Sequence, residues 1–177
     1  ELRDNYLPPF KGAVNSQAAT FMTAFNEING IPASGHDYYI REVLRKEWQY
    51  NGMIVSDWFS VQQLVVHGYA SDEKDAALKS IQAGVDMEMA STCYEDYLKK
   101  LIEEKQVSMD IIDESVRNVL RLKFNLGLFE NPYTDANDYP ELVNDDHREI
   151  AKEIAKESIV LLKNSNHVLP LNPGISS

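Results

Sequence analysis

The sequence predicts an α/β fold made of repeated βα units on a parallel sheet, the C-terminal portion of a (β/α)8 barrel. Three observations carry that prediction. Gly52-Met53-Ile54-Val55-Ser56-Asp57-Trp58 is an apolar run without in/out alternation that stops in an acid and an indole, which suits a strand covered on both faces. Strand candidates centred on Met22, Val55 and Met87 lie 33 and 32 residues apart, about the length of one βαβ unit. Helical patterning fills the intervals. An even cadence favours a barrel wall over an open sheet, and a complete barrel takes about 250 residues, so three strands supply only part of one.

In chain order, Leu2 to Asn15 reads as the end of a helix, with Pro8 and Pro9 at a turn or in a first helical turn, where proline is tolerated. Ala18 to Ile28 is a strand candidate by the β-branched and aromatic content of Thr20–Phe25, and Asn29-Gly30-Ile31-Pro32 is turn chemistry. From Asp37 to Gln49 the apolar residues Ile40, Val43, Leu44 and Trp48 recur at helical spacing. After the central strand, Val61, Leu64 and Val65 suggest a helix, and a clearer one runs from Asp72 to Ala83, stopped by Gly84. Val85 to Met89 is the third strand. Tyr94, Leu98, Leu101 and Ile102 mark another helix, and Ser108 is placed to cap one running through Ile112, Val116, Val119 and Leu120 to Gly127. Residues 1–130 are therefore assigned to the barrel portion. Residues 131–177 read as linker plus entry into a further domain: Asn131 to Pro140 is polar and turn-rich, and Asp145 or Asp146 should cap a helix with Ile150, Ile154 and Leu161 on one face, ending near Asn164.

With 177 residues and 44% hydrophobic composition the chain is long enough for one core. A formal net charge of -11 argues against nucleic acid or an anionic membrane as partner and fits a neutral ligand. The single cysteine, Cys93, excludes an internal disulfide framework and a cysteine-built zinc site. No stretch approaches the ~20 apolar residues of a membrane span. The first residue is Glu1 with no leader after it, so the chain is expected to be a piece of a longer protein. Ligands of parallel α/β sheets bind at the carboxyl ends of the strands, which makes Asp57 and Trp58 the leading site candidates, against the alternative of a capping acid beside a core indole.

The ordered set Phe21-Met22-Thr23-Ala24-Phe25-Asn26, Asn29-Gly30-Ile31-Pro32, Val43-Leu44-Arg45 with Glu47-Trp48, Val55-Ser56-Asp57-Trp58, Ala83-Gly84-Val85-Asp86-Met87, and Glu157 to Asn164 with Leu169-Pro170-Leu171 resembles glycoside hydrolase family 3, most of all its bacterial β-glucosidases. The resemblance runs over essentially the whole chain. It implies a (β/α)8 domain followed by an α/β sandwich domain, and a retaining, exo-acting hydrolysis of a β-linked glucoside or related oligosaccharide without a cofactor. It also implies that Asp57 is the nucleophile and that Trp58 and Met22 line the cleaved subsite. Phe25 stands where many members carry a Tyr that reaches the nucleophile, so it is left to supply shape. The sugar-holding Lys-His and Arg would precede Glu1 and the acid/base would follow Ser177, so the piece alone is expected to be inactive and to need its missing parts or to self-associate. A periplasmic or secreted location is implied by the same resemblance.

The physical case stands beside it. Retaining hydrolysis uses two carboxyl groups about 5 to 5.5 Å apart, one attacking the anomeric carbon and one protonating the leaving oxygen. An Asp at a strand end keeps its charge if backbone N–H groups donate to it, and an indole offers a flat face to a pyranose. Two rivals remain. Asp86 and Glu88 share a parity on the third strand, so Asp57, Asp86 and Glu88 could hold Mg²⁺ as in a barrel lyase; structural bonding of Asp86 and Glu88 is the plainer reading. A carbohydrate-binding protein that kept the fold and lost catalysis is the other. His36, His67, His147 and His167 lack ligand-like spacing and read as surface or locally bonded, and Glu103-Glu104-Lys105 reads as a solvated face.

Overall fold

A computed structural model describes residues 1–135, 137, 144–172 and 174. The chain forms two compact units, Glu1–Pro132 and Tyr133–Ser177.

In the first unit a π-wound turn, Leu2–Tyr6, leads into α1 (Leu7–Asn15), with Pro8 and Pro9 in its first turn. Strand β1 (Thr20–Met22) is followed by a hairpin of β2 (Glu27–Ile28) and β3 (Ile31–Pro32), paired antiparallel as Glu27↔Pro32 and Ile28↔Ile31. The expected single strand to Ile28 is thus two elements. Asn29 and Gly30 both hold positive φ, which is the turn a two-residue hairpin requires. Helix α2 (Tyr38–Glu47) is π-wound, and Trp48 N–H donates to the Val43 carbonyl across five residues. Strand β4 (Met53–Trp58), the short α3 (Gln63–Val66), α4 (Glu73–Ala83), β5 (Met87–Met89), α5 (Cys93–Glu103) and α6 (Met109–Asn125) complete the unit. Asp72 caps α4 by accepting from Asp75 N–H at 2.8 Å. Gly84 ends it at φ +103°, where a Cβ would also lie 2.9 Å from Ile40 Cγ2. Ser108 takes the cap position of α6, yet its side chain makes no cap bond.

The three long-range strands form one parallel sheet in the order β1-β4-β5. Met22 pairs with Val55 and Val55 with Met87, so the strands end at one common edge. The burial of β4 explains its unalternated sequence. Met53, Ile54 and Ser56 are buried and Val55 is half-buried, because helices and neighbouring strands cover both faces. Ile54 packs with Ile40, Tyr50, Ala83 and Val85, and a second cluster joins α3, α4 and α5 through Leu64, Ile81 and Leu101, with the half-buried Ile111 and Ile112 of α6 packed against it. Each fully buried aliphatic side chain of this kind contributes about 1.5–3 kcal/mol.

In the second unit α7 (Asp145–Ser158) is capped by Asn144, which accepts from His147 N–H at 2.9 Å, rather than by Asp145 or Asp146. It ends six residues before Asn164. Ile159 has ψ 120°, and the β-branched pair Ile159-Val160 favours extended backbone, so Leu161 lies outside the helix that was expected to include it. The expected linker falls partly on residues 136 and 138–140, outside the described residues. Among the described residues no helix is long and apolar enough to cross a membrane.

Candidate functional site

The carboxyl edge of the sheet collects the four residues expected at the site, Asp57, Trp58, Met22 and Phe25. Asp57 and Trp58 are the last two residues of β4, Met22 is the last of β1, and Phe25 follows three residues on. Asp57 is half-buried; Trp58, Met22 and Phe25 are 62%, 55% and 37% exposed. The reading of Trp58 as a core indole is thereby excluded.

The edge is built by a bulge. Val55 pairs with Met87 and Trp58 with Met89, so three steps on β4 match two on β5. Such bulges re-aim side chains and are common beside active sites. Ser56 bridges the interruption: its hydroxyl accepts from Met89 N–H at 2.8 Å and donates to the Asp57 carbonyl at 3.0 Å. The Asp57 carboxylate accepts from Trp58 N–H at 2.6 Å. Ser60 N–H donates to the Asp57 carbonyl at 3.1 Å, and Phe59 N–H to the Met89 carbonyl at 3.0 Å.

Below the edge lies a chain of three buried hydroxyls. Thr23 Oγ1 is 2.7 Å from Ser34 Oγ, which is 2.8 Å from Ser60 Oγ. It ties the segment after β1, which carries Phe25, to the segment that follows Trp58 and carries Phe59 and Ser60. A second tie links the same regions, His67 Nδ1 to Glu27 Oε1 at 2.8 Å. Neither was legible in the sequence, because hydroxyl partners 11 and 26 residues apart follow no periodicity.

The rival carboxylates are both committed elsewhere, which removes the three-acid metal site. Asp86 precedes β5 at the opposite end of the sheet. Its side chain is 3% exposed, pairs with Arg45 at 2.7 Å, and accepts from Ile54 N–H at 2.8 Å and Asn118 Nδ2 at 2.9 Å. Burial pushes its pKa up, against the pull of Asn118 and Arg45. Arg45 also holds the Tyr50 and Gly52 carbonyls, so this pair knits α2 to the sheet. Glu88 caps α5: it accepts from the Ser91 hydroxyl, from Cys93 N–H at 3.1 Å and from Tyr94 N–H at 2.7 Å. Asp86 and Glu88 therefore do not share the same surroundings despite their parity. Among the described residues no group of three His, Cys, Asp or Glu is placed to hold a metal ion.

The remaining candidates are structural. Cys93 is buried, and burial pushes its thiol up to about 12. Glu104 pairs with Lys74 across α4 and α5, which makes it a helix-to-helix tie rather than a purely solvated face. His36 departs from the surface reading: it is buried against Tyr39, with ring centroids 4.5 Å apart and Nδ1 unpartnered among the described residues. A hollow of about 380 Å³ opens at the amino end of β4, lined by Tyr50, Gly52, Asn118 and Arg121 among others. It is at the wrong end of a parallel sheet for the chemistry usual there.

A parallel sheet with an acid and exposed aromatics at its carboxyl edge has the layout in which α/β proteins generally hold small ligands, at the strand ends. The profile of the Glycosyl hydrolase family 3 N terminal domain matches residues 1–122, and the chain belongs to that family. It is 39% identical over 180 residues to the periplasmic beta-glucosidase of Salmonella typhimurium, covering 96% of this chain and 23% of the relative. A beta-glucosidase from Listeria innocua, solved in complex with glucose, superposes with a TM-score of 0.81 at 44% identity over 97% of this chain and 24% of that one. A mutant of the same enzyme in complex with laminaribiose gives 0.81 at 42% identity, with the same coverage. The chain spans about a quarter of the length of these relatives.

Proposed function

We propose that this chain is the nucleophile-bearing barrel portion of a retaining, exo-acting β-glycosidase that cleaves β-linked glucosides. The observation that carries the reading is Asp57. It is a half-exposed carboxylate at the end of the central parallel strand, bonded by one backbone N–H and flanked by an exposed indole. The Asp57 carboxylate attacks the anomeric carbon as the glycosidic C–O bond breaks, and an acid outside this chain protonates the leaving oxygen. Water then attacks the same carbon and releases the sugar with its configuration retained. Trp58 lies along the sugar face, with Met22 and Phe25 shaping the subsite. An acid from elsewhere is consistent with the commitments of Glu88 and Asp86 and with relatives about four times as long. Glucosides come first because the relatives named above are beta-glucosidases, one of them bound to laminaribiose; a putative beta-xylosidase of Formosa agariphila, 36% identical, makes xylosides the second choice. A periplasmic or secreted location follows the Salmonella relative.

The test is a 2-deoxy-2-fluoro-β-glucoside, which slows release of the sugar more than its transfer to the enzyme. The full-length protein should accumulate one covalent adduct, on the peptide containing Asp57, and an aryl glucoside should give product of retained configuration. An adduct elsewhere or an inverted product refutes the assignment. The 177-residue chain alone should be inactive and should associate with itself, since β1 and β5 are the outer strands of its sheet. Turnover by a monomer of it would overturn both statements.

A further inference from the structure

We infer that Ser56 is a positioning residue: its hydroxyl fixes the bulged peptide of Asp57 and so sets the line along which the carboxylate reaches the anomeric carbon. The inference rests on the reading of Asp57 as nucleophile and adds the group that aims it.

The need for such a group follows from the register. Val55 pairs with Met87 and Trp58 with Met89, so Ser56 and Asp57 together stand opposite the one residue Glu88. A bulge of this kind interrupts the ladder and leaves backbone groups to be satisfied by other means. Met89 N–H goes to the Ser56 hydroxyl at 2.8 Å, and the same hydroxyl donates to the Asp57 carbonyl at 3.0 Å. One oxygen thus accepts from the neighbouring strand and donates to the peptide of the attacking residue. The flanks of the bulge are pinned separately. Thr23 N–H donates to the Val55 carbonyl at 3.0 Å, and Phe59 N–H to the Met89 carbonyl at 3.0 Å. Asp57 lies between these pins, and its carbonyl is held by Ser56 and by Ser60 N–H.

Ser56 is fully buried, whereas Asp57 is half-buried and Trp58 exposed. It therefore stands behind the reacting edge and acts only through Asp57. A hydroxyl enclosed in this way is costly unless it is bonded, and both of its bonds go to the bulge. Attack needs the reacting atoms about 3–3.5 Å apart and aligned, and a misplacement of about 1 Å costs on the order of 10²-fold in rate. Contact with the sugar face depends instead on Trp58, Met22 and Phe25, whose strands keep their own pairing when the Ser56 oxygen is removed.

The experiment follows inactivation of the full-length protein by 2,4-dinitrophenyl 2-deoxy-2-fluoro-β-D-glucoside. Its leaving group departs without a proton, so the first-order rate constant reports attack by Asp57 and KI reports binding. Ser56→Ala should lower the rate constant roughly 10- to 100-fold with KI within about threefold of wild type. Ser56→Thr keeps the oxygen at a strand position that suits a β-branched residue, and its rate constant should stay within about threefold of wild type. Ser80→Ala controls for lost stability alone: Ser80 is equally buried, accepts from the Tyr94 hydroxyl at 3.1 Å and lies on α4. It should lower the melting temperature and leave the rate constant within about twofold of wild type. A rate constant for Ser56→Ala within about threefold of wild type overturns the inference. So does an equal loss in Ser56→Thr, or a loss in Ser80→Ala that matches that of Ser56→Ala. Failure of the nucleophile reading shows separately, as a wild-type adduct on a peptide without Asp57, and it takes this inference with it.

Discussion

Two aspartates stand at opposite ends of the same sheet. Asp86 is enclosed and holds an arginine, an amide and a backbone N–H. Asp57 is half-open, and the one recorded bond of its carboxylate among the described residues is from the N–H of the next residue. A carboxylate whose oxygens are used up is a fastener, since every bond it makes would have to break before it could react. One with free lone pairs on an edge lined by exposed aromatics is available for chemistry. The same contrast separates Asp57 from Glu88, whose three donors all belong to the start of α5.

The contrast is broken most sharply by exchanging roles. Asp57→Asn in the full-length protein should lower turnover of an aryl β-glucoside on the order of 10⁴-fold or more, since an amide cannot carry the covalent intermediate, while thermal unfolding changes little. Unaltered turnover would move the nucleophile elsewhere. Asp86→Ala should do the reverse and destabilise by about 3–5 kcal/mol in urea unfolding, because it leaves Arg45 buried without its anion; a change as small as that of an exposed site would refute the fastener reading. Glu88→Gln should cost about 1 kcal/mol through weakened capping of α5. A fall of 10²-fold or more in kcat with stability intact would instead make it a general acid.

The smallest effect concerns His36. Burial lowers its pKa below the usual 6.5, against the opposing pull of Asp37. The unfolded chain therefore binds a proton at a higher pH than the folded one, so stability is complete above about 6.5 and declines as pH falls below it toward the folded value. The melting temperature should drop between pH 7.5 and 5.5 in wild type and drop less in His36→Phe. Equal slopes would show that another group carries the dependence.

What was legible in the sequence follows from the range of each interaction. The β4 run and the helix from Asp72 to Gly84 are encoded locally, by burial on both faces and by caps within a turn, and both were readable. The β2–β3 hairpin was absorbed into a longer strand because two-residue strands leave no periodic trace, although Asn29-Gly30 marked its turn correctly. Asp57 and Trp58 stood out because an apolar run stopped at them. Asp86 did not show its role, since Arg45 and Asn118 lie 41 and 32 residues away. Ser56 hid its role for the same reason, because the Met89 N–H that it accepts from lies 33 residues away.

The three buried hydroxyls have a property that none of them has alone. In a row of oxygens each O–H donates to the next, so the direction in which Thr23, Ser34 and Ser60 donate is a shared choice, reversed only if the rotors turn together. Ser34, in the middle, belongs to both links, whereas Thr23 and Ser60 each belong to one. Ser34 is therefore the one oxygen common to both hydroxyl links between the segment after β1, which carries Phe25, and the segment after β4, which carries Phe59, and the direction of its O–H decides which of the two it donates to.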